Sequence, residues 1–171
     1  LTGVSLHAAE LAARRLELLK EAVPRAARAV AARALGMELT PVELRAEGDL
    51  RAALGAIKSP APDGLLVLAD ILTLAHRRRL ATFAAQNRIP AMFPLAEFVD
   101  TGGLIAYGPS WSDAFRRAAV QVDRILRGAR PGELPLERPS RFELHINLKA
   151  ARALELPVPS SLLVKATRVL Q

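Results

Sequence analysis

The sequence predicts an α/β fold with an open, mostly parallel sheet between two layers of helices, a three-layer α/β/α arrangement. Strand-like segments alternate with helical ones along most of the chain, as expected for strand–helix–strand units. Several strand-like segments are short apolar runs, such as Leu-Leu-Val-Leu at 65–68, which is typical of buried parallel strands. The 171 residues suffice for one domain or for one lobe of a larger protein.

The first third of the chain contains three helical patterns and one strand-like pattern. The helices are predicted at 6–22, 29–35 and 49–57, and the strand at 37–44. Gly36 is a suitable stop for the second helix. Pro41 lacks an N–H group, so we expect its strand at a sheet edge or a bend.

The remainder of the chain alternates regularly between strands and helices. Strands are predicted at 65–68, 89–93, 104–107 and 142–147, and helices at 74–86, 95–99, 110–126, 148–154 and beyond 160. Ser110 or Ser112 can cap the long helix that ends near Leu126. Segment 129–140 holds three prolines and predicts an extended connection.

Composition and charge exclude several classes of protein. The chain has no cysteine, which removes disulfides and thiolate metal sites, and no apolar run long enough to span a bilayer. The net charge is +7, but the tight cluster Arg77-Arg78-Arg79 lies on a predicted helix, where successive side chains diverge by about 100°. Aromatic side chains that could stack on bases are few, so we expect no nucleic-acid partner.

No motif for catalysis, metal binding or cofactor binding occurs in the sequence. His7, His76 and His145 lie in unrelated contexts without metal-ligand spacing, and no phosphate-binding glycine loop is found. His145 alternates with apolar neighbours and is predicted on the solvent face of its strand. We therefore expect no catalytic residue, no metal ligand and no cofactor.

Polar residues follow the first of the predicted parallel strands. In open α/β sheets, ligands bind in the crevice beyond the carboxyl ends of the strands, where Asp70 is expected. Its carboxylate could pair with a ligand ammonium group, or it could cap the next helix. Thr73 could donate a hydrogen bond to a ligand carboxylate near the start of that helix, or cap the helix itself.

Three further side chains follow the next two strands. Glu97 faces either the crevice or water. Tyr107 ends its strand, where the ring could cover an apolar ligand or pack in the core, and Trp111 leaves the same two interpretations open.

Five stretches of the chain resemble one known family, in the order in which the family has them. They are Thr2-Gly3-Val4-Ser5-Leu6 with the Arg15–Lys20 run, Leu66-Val67-Leu68-Ala69-Asp70 with Ala75-His76-Arg77-Arg78-Arg79, Ile89-Pro90-Ala91, Glu97-Phe98-Val99 with Gly102–Gly108, and Pro139–Leu163 (PSRFELHINLKAARALELPVPSSLL). The family is that of ABC-transporter substrate-binding proteins, whose known members bind amino acids such as tryptophan.

The resemblance implies a fold, a function and partners. The fold is a type I periplasmic-binding-protein-like lobe. The function is capture of a small solute, an amino acid or a related compound, between two lobes that close about a hinge, with no chemical reaction. Ser5 resembles the crossover between the lobes, where it could contact the ligand. The implied partner is a membrane permease, and the implied location is periplasmic or extracellular, with a lipoprotein anchor as one form.

The chain also departs from the family pattern. The family has a strand and most of a helix at a point where Val30 here runs directly into Ala31, so we expect a missing segment and a break at this position. We expect 1–109 to form the second lobe, and 110–171 to supply a helix, linker, strand and terminal helices crossing between lobes. The chain begins with Leu1 and is interpreted as part of a longer protein, which pairs with a missing first lobe or forms a homo-oligomer.

Two other functions stay open on the sequence. The same bilobed fold serves ligand-sensing regulatory modules, because a fold does not fix a function. An α/β enzyme is the third possibility, and a cluster of polar side chains that converge on one point of the structure would indicate it.

Overall fold

The structure, a computed structural model, describes residues 25–58 and 62–171 and contains one five-stranded sheet. The strands are β1 (Leu65–Leu66), β2 (Ala91–Phe93), β3 (Ile105–Pro109), β4 (Phe142–Asn147) and β5 (Arg168–Leu170), and they lie side by side in sequence order. The helices are α1 (Arg25–Ala34), α2 (Leu50–Lys58), α3 (Ile71–Ala75), α4 (Arg77–Gln86), α5 (Ala96–Asp100), α6 (Trp111–Leu126), α7 (Leu148–Ala153) and α8 (Ser160–Lys165). Short 3-10 turns cover Glu47–Asp49 and Pro131–Glu133.

The sheet is mostly parallel, as the sequence predicts. β1 pairs with β2 and β2 with β3 in parallel, so these three strands end at the same edge. β4 runs antiparallel to β3, with five residue pairs from Ile105–Ile146 to Pro109–Phe142, and β5 is parallel to β4. The residues after 110 therefore extend the same sheet that the residues before 110 begin.

One face of the sheet carries the main hydrophobic core. Phe93 on β2 and Phe98 on α5 are 1% and 0% exposed, and their rings stack with centroids 4.8 Å apart. Leu80 and Ala84 on α4 pack into the same cluster, as does Leu50 at the start of α2. The helical spacing of the apolar residues on α4 places them on the side that faces the sheet.

The opposite face carries a smaller cluster under the carboxyl-terminal helices. Leu144 and Ile146 on β4 pack against Leu162 on α8, and Ile105 on β3 lies beside them. Because successive side chains of a strand point to opposite faces, Leu144 and Ile146 share this face, while His145 between them is buried on the other one. Helices therefore flank the sheet on both sides, which confirms the predicted α/β architecture.

The expected break between Val30 and Ala31 is not found. Helix α1 runs without interruption from Arg25 to Ala34, so the two residues lie in one continuous helix. Ala32 of this helix is buried, while Val30 is 67% exposed. That prediction of a break is wrong for the chain as it folds here, whereas the division at 109/110 stays a prediction. The predicted helix 6–22 and Ser5 lie outside the described residues.

Two predicted elements differ from the observed ones for local reasons. Segment 37–44 is not a strand, because it has no ladder partner in the described part of the chain, and most of it is exposed. The predicted helix 74–86 begins earlier, at Ile71, and is divided at His76, whose φ of −98° and ψ of 16° leave the helical region. Asp70 rather than Thr73 caps its first part.

Candidate functional site

The candidate site lies at the carboxyl edge of the parallel strands. β1, β2 and β3 all end there, followed by Asp70, Pro94 and Ser110 respectively. β4 runs in the opposite direction, so its first residues, Phe142 and Glu143, start at the same edge. This edge is where a doubly wound sheet binds ligands.

The first predicted pair of site residues, Asp70 and Thr73, is engaged in capping α3. The Leu72 N–H donates to Asp70 Oδ1 at 2.7 Å, and the Asp70 N–H donates to Thr73 Oγ1 at 3.2 Å. The Thr73 hydroxyl in turn donates to the Leu68 carbonyl oxygen at 2.8 Å. The Asp70 side chain belongs to an exposed residue, so capping does not remove it from the solvent.

Tyr107 does not end its strand as predicted, because β3 continues to Pro109 through its pairing with β4. The Tyr107 ring lies on the opposite face of the sheet from the main core. The ring stacks on Phe142 with centroids 5.6 Å apart and packs with the Leu144–Ile146–Leu162 cluster. Tyr107 is half-buried. Side chains alternate between the two faces of β3, and Ala106, next to Tyr107, faces the main core, so Tyr107 faces the other way.

Glu97 stands in the first turn of α5 and is exposed to solvent. The strand ends that separate it from Tyr107 approach one another very closely. A Cβ atom at Gly108 would lie 1.9 Å from the Pro94 carbonyl oxygen, closer than any real contact. The edge therefore depends on the absence of a side chain at Gly108.

A chain of polar groups that the sequence did not reveal lies beside Tyr107. The side chain of Ser110 caps α6 by accepting from the Asp113 N–H, and its hydroxyl lies 3.1 Å from that of Ser112. Ser110 also hydrogen-bonds the Glu143 carboxylate, and this bond lowers the pKa of Glu143 from its ordinary value. His145 Nε2 lies 3.4 Å from Glu143 Oε2.

His145 is buried, at 7% exposure, which corrects its predicted place on a solvated strand face. Helix α5 packs over this side of β4, and alternation alone cannot reveal which helix covers a strand face. The Nδ1 atom of His145 has no hydrogen-bond partner among the described residues. The sequence did carry one indication, because Glu143 and His145 are two positions apart on a strand and therefore lie on the same face.

We expect Glu143→Gln to lower the free energy of unfolding by about 1 kcal/mol at pH 7, because it removes a charge-assisted bond that is partly screened by solvent. The folded pKa of Glu143 is lowered, so its contribution is present above the unfolded value and is lost as the pH falls through the folded one. Chemical denaturation should show a larger difference in the free energy of unfolding between wild type and variant at pH 7 than at pH 3. Glu155→Gln is the control, since that carboxylate is 80% exposed.

Two grooves lie elsewhere on the described surface, and neither is lined by Asp70, Thr73, Glu97 or Tyr107. One runs between α6 and segment 135–141, and the other between α4, β2 and α7. Among residues 25–58 and 62–171, no group of His, Asp and Glu side chains could hold a metal ion. No helix in these ranges is long and apolar enough to cross a membrane.

An open α/β sheet whose parallel strands end at one polar edge is an arrangement in which ligands bind beyond the strand ends. The comparison with known families specifies the kind of protein. The model of the family described as "ABC transporter substrate binding protein" matches residues 28–170, and the chain belongs to this family. No curated protein sequence matches the chain.

Solved structures with the same fold are about twice as long as this chain. A conserved domain protein from Vibrio cholerae is 25% identical with a TM-score of 0.75, and the match covers 92% of this chain and 50% of that one. The ABC domain in complex with L-Trp from Streptococcus pneumonia is 20% identical with a TM-score of 0.75, covering 82% and 49%. An open, ligand-free substrate binding protein with adhesive properties from Clostridium difficile is 18% identical with a TM-score of 0.60, covering 85% and 48%.

Proposed function

We propose that this chain is one lobe of the substrate-binding component of an ABC importer, and that it captures an amino acid or a related compound without chemical reaction. Membership of the substrate-binding family is the observation that carries the proposal. The ligand is held between this lobe and a second one, and the closed form docks on a membrane permease. The proposed location is periplasmic or extracellular, with a lipoprotein anchor as one form.

The proposed ligand contacts are Asp70, Thr73, Glu97 and Tyr107, with Ser5 as a further contact from outside the described residues. The support is topological. Asp70 and Thr73 follow β1, Glu97 follows β2, and both strands end at the same edge as β3, which carries Tyr107. The carboxylate of the exposed residue Asp70 suits the ammonium group of an amino acid. The ring of the half-buried residue Tyr107 suits an apolar side chain of the ligand.

Tryptophan is the natural first probe, because a structure with the same fold contains L-Trp. We expect millimolar L-Trp to raise the melting temperature of this chain, since a ligand that binds only the folded state stabilises it. Indole-3-propionate, which lacks the ammonium group, should raise it less. Equal shifts with both compounds would argue against ammonium recognition, and no shift with any of the twenty amino acids would argue against the proposed substrate class.

Asp70→Asn separates the two roles of Asp70. Asparagine caps a helix about as well as aspartate but carries no charge. If the carboxylate pairs with the ligand, Asp70→Asn should weaken L-Trp binding by roughly tenfold to 150-fold, as expected for a charge-assisted bond worth about 1.5–3 kcal/mol. Isothermal titration calorimetry measures this change.

Asp70→Ala is the matched comparison, because it removes the cap as well as the charge. It should also lower the free energy of unfolding by about 1 kcal/mol, which Asp70→Asn should not do. Unchanged L-Trp affinity in Asp70→Asn, together with a destabilised Asp70→Ala, would leave capping as the role of Asp70.

A further inference from the structure

The groove between α4, β2 and α7 has a volume of about 310 Å³, which is within the usual range for small-ligand sites. Its floor is apolar and lies deep in the fold. Ile89, Ala91 and Phe93 line it and are between 1% and 3% exposed. A ligand that enters this groove would therefore meet the sheet itself rather than a mobile surface.

Small side chains on two helices leave the room for this groove. Ala81, Ala84 and Ala85 line it from α4, and Ala150 and Ala153 line it from α7. The residues of each helix are three or four positions apart, so they share the side of the helix that faces the groove. Longer side chains at these positions would occupy the space.

Two hydrogen-bond donors lie where α7 begins. Asn147 lines the groove and is 8% exposed, and its Oδ1 caps α7 by accepting from the Ala150 N–H at 3.0 Å. Its Nδ2 amide has no hydrogen-bond partner among the described residues, which is costly for so buried a group. Lys149 also lines the groove, and none of the described lining residues is acidic.

We propose that this groove binds a small monocarboxylate with an apolar body, of which benzoate is the simplest aromatic example. The carboxylate accepts hydrogen bonds from the Asn147 amide and the Lys149 ammonium group, which are the only charge-complementary groups that the described lining offers. The apolar body covers the alanine walls and the floor. A free amino acid suits the groove less well, because its ammonium group would lie near that of Lys149.

The proposed carboxylate site is separate from the candidate ligand edge. β2 begins at Ala91, and the antiparallel strand β4 ends at Asn147, so the groove lies at the edge of the sheet opposite to the one beyond which Asp70 lies. The inference goes beyond the proposed function and does not depend on it.

Amide proton–nitrogen NMR spectra of the complete chain, titrated with millimolar benzoate, test the proposal. The side-chain amide signal of Asn147 and the backbone signals of Gly102 and Gly103, which also line the groove, should shift and saturate. Benzamide, which has the same ring without the charge, should bind at least roughly fivefold more weakly. The edge beyond Asp70 is followed by other signals, so a failure of L-Trp binding there leaves this test intact.

The absence of saturable shifts at Asn147 and Gly103 would overturn the proposal. Equal affinities for benzoate and benzamide would also overturn it, because the carboxylate would then not be recognised.

Asn147→Asp tests the amide, because aspartate caps a helix as well as asparagine but offers a carboxylate where the amide donates. It should weaken benzoate binding at least roughly tenfold. Lys149→Gln should weaken it roughly threefold to fivefold, since an exposed charge is screened by solvent. Lys165→Gln is the matched control, because Lys165 is an exposed lysine of α8 that does not line the groove.

Circular dichroism verifies that each variant folds. If Asn147→Asp does not fold, Ala153→Phe replaces it, because Ala153 is an exposed lining residue where a ring would fill the groove and abolish benzoate binding. Benzoate affinity that stays unchanged in Lys149→Gln and in the folded second variant would exclude the groove as the site.

Discussion

Replacing Phe98 by alanine should lower the free energy of unfolding by about 3–5 kcal/mol, the largest effect of any single substitution discussed here. Phe98 is completely buried and its ring stacks on Phe93. The same ring region packs closely around Gly103, where a Cβ atom would lie 2.8 Å from the Phe93 ring. Removing the Phe98 ring would leave a cavity between α5 and the centre of the sheet that such tightly packed neighbours cannot fill.

Urea denaturation followed by circular dichroism measures this loss. Phe98→Leu is the control, because it retains most of the apolar volume and should cost less than half as much. A cost below about 1 kcal/mol for Phe98→Ala would show that the stacked pair is not the centre of the core.

Gly108→Ala should destabilise the fold by about 2–3 kcal/mol, because the methyl group would meet the Pro94 carbonyl oxygen at 1.9 Å. The obstacle is backbone, which cannot turn aside as a flexible side chain can. The ends of β2 and β3 would have to separate, and that separation would open the candidate ligand edge.

Gly55→Ala is the matched change for Gly108→Ala. Gly55 lies inside α2 and no atom is within 4 Å of where its Cβ would lie, so alanine should stabilise the helix by up to about 1 kcal/mol. Opposite signs for the two substitutions in thermal denaturation are the expected result. A neutral Gly108→Ala would mean that the strand ends can move apart at little cost.

The sequence predicted best those elements that local signals determine. The helix α6 begins after Ser110, whose side chain caps it, and ends at Leu126, just before Arg127-Gly128, as the cap and the glycine stop indicate. The apolar runs located the three parallel strands. The predicted burial of 65–68 is wrong in part, because Val67 is buried but Leu66 and Leu68 are 39% and 43% exposed. Asp70 illustrates the limit, since Asp70 and Thr73, three positions apart, could each cap the same helix and only the folded backbone decides between them.

Elements that depend on residues far away in the sequence could not be predicted from local patterns. Segment 37–44 has the alternation of a strand, but a strand also needs a partner for its backbone groups. β5 is three residues long, too short for a pattern, and it exists because the Thr167 N–H and hydroxyl bond to Leu144 and guide it onto β4. The same holds for the candidate site, where strand ends were predictable but the side on which the Tyr107 ring packs was not.

The antiparallel placement of β4 makes α6 and segment 129–140 an insertion between two adjacent strands. β3 and β4 pair over five positions, so the sheet is continuous although the chain leaves it between Ser110 and Arg141. Changes in the length or sequence of segment 111–140 need not disturb the β3–β4 ladder, because the two ends of that segment are held next to each other by the ladder. The fold thus separates a scaffold of hydrogen-bonded strands from a segment that lies outside the ladder. The surface that α6 presents can therefore change without altering the edge where the ligand is proposed to bind.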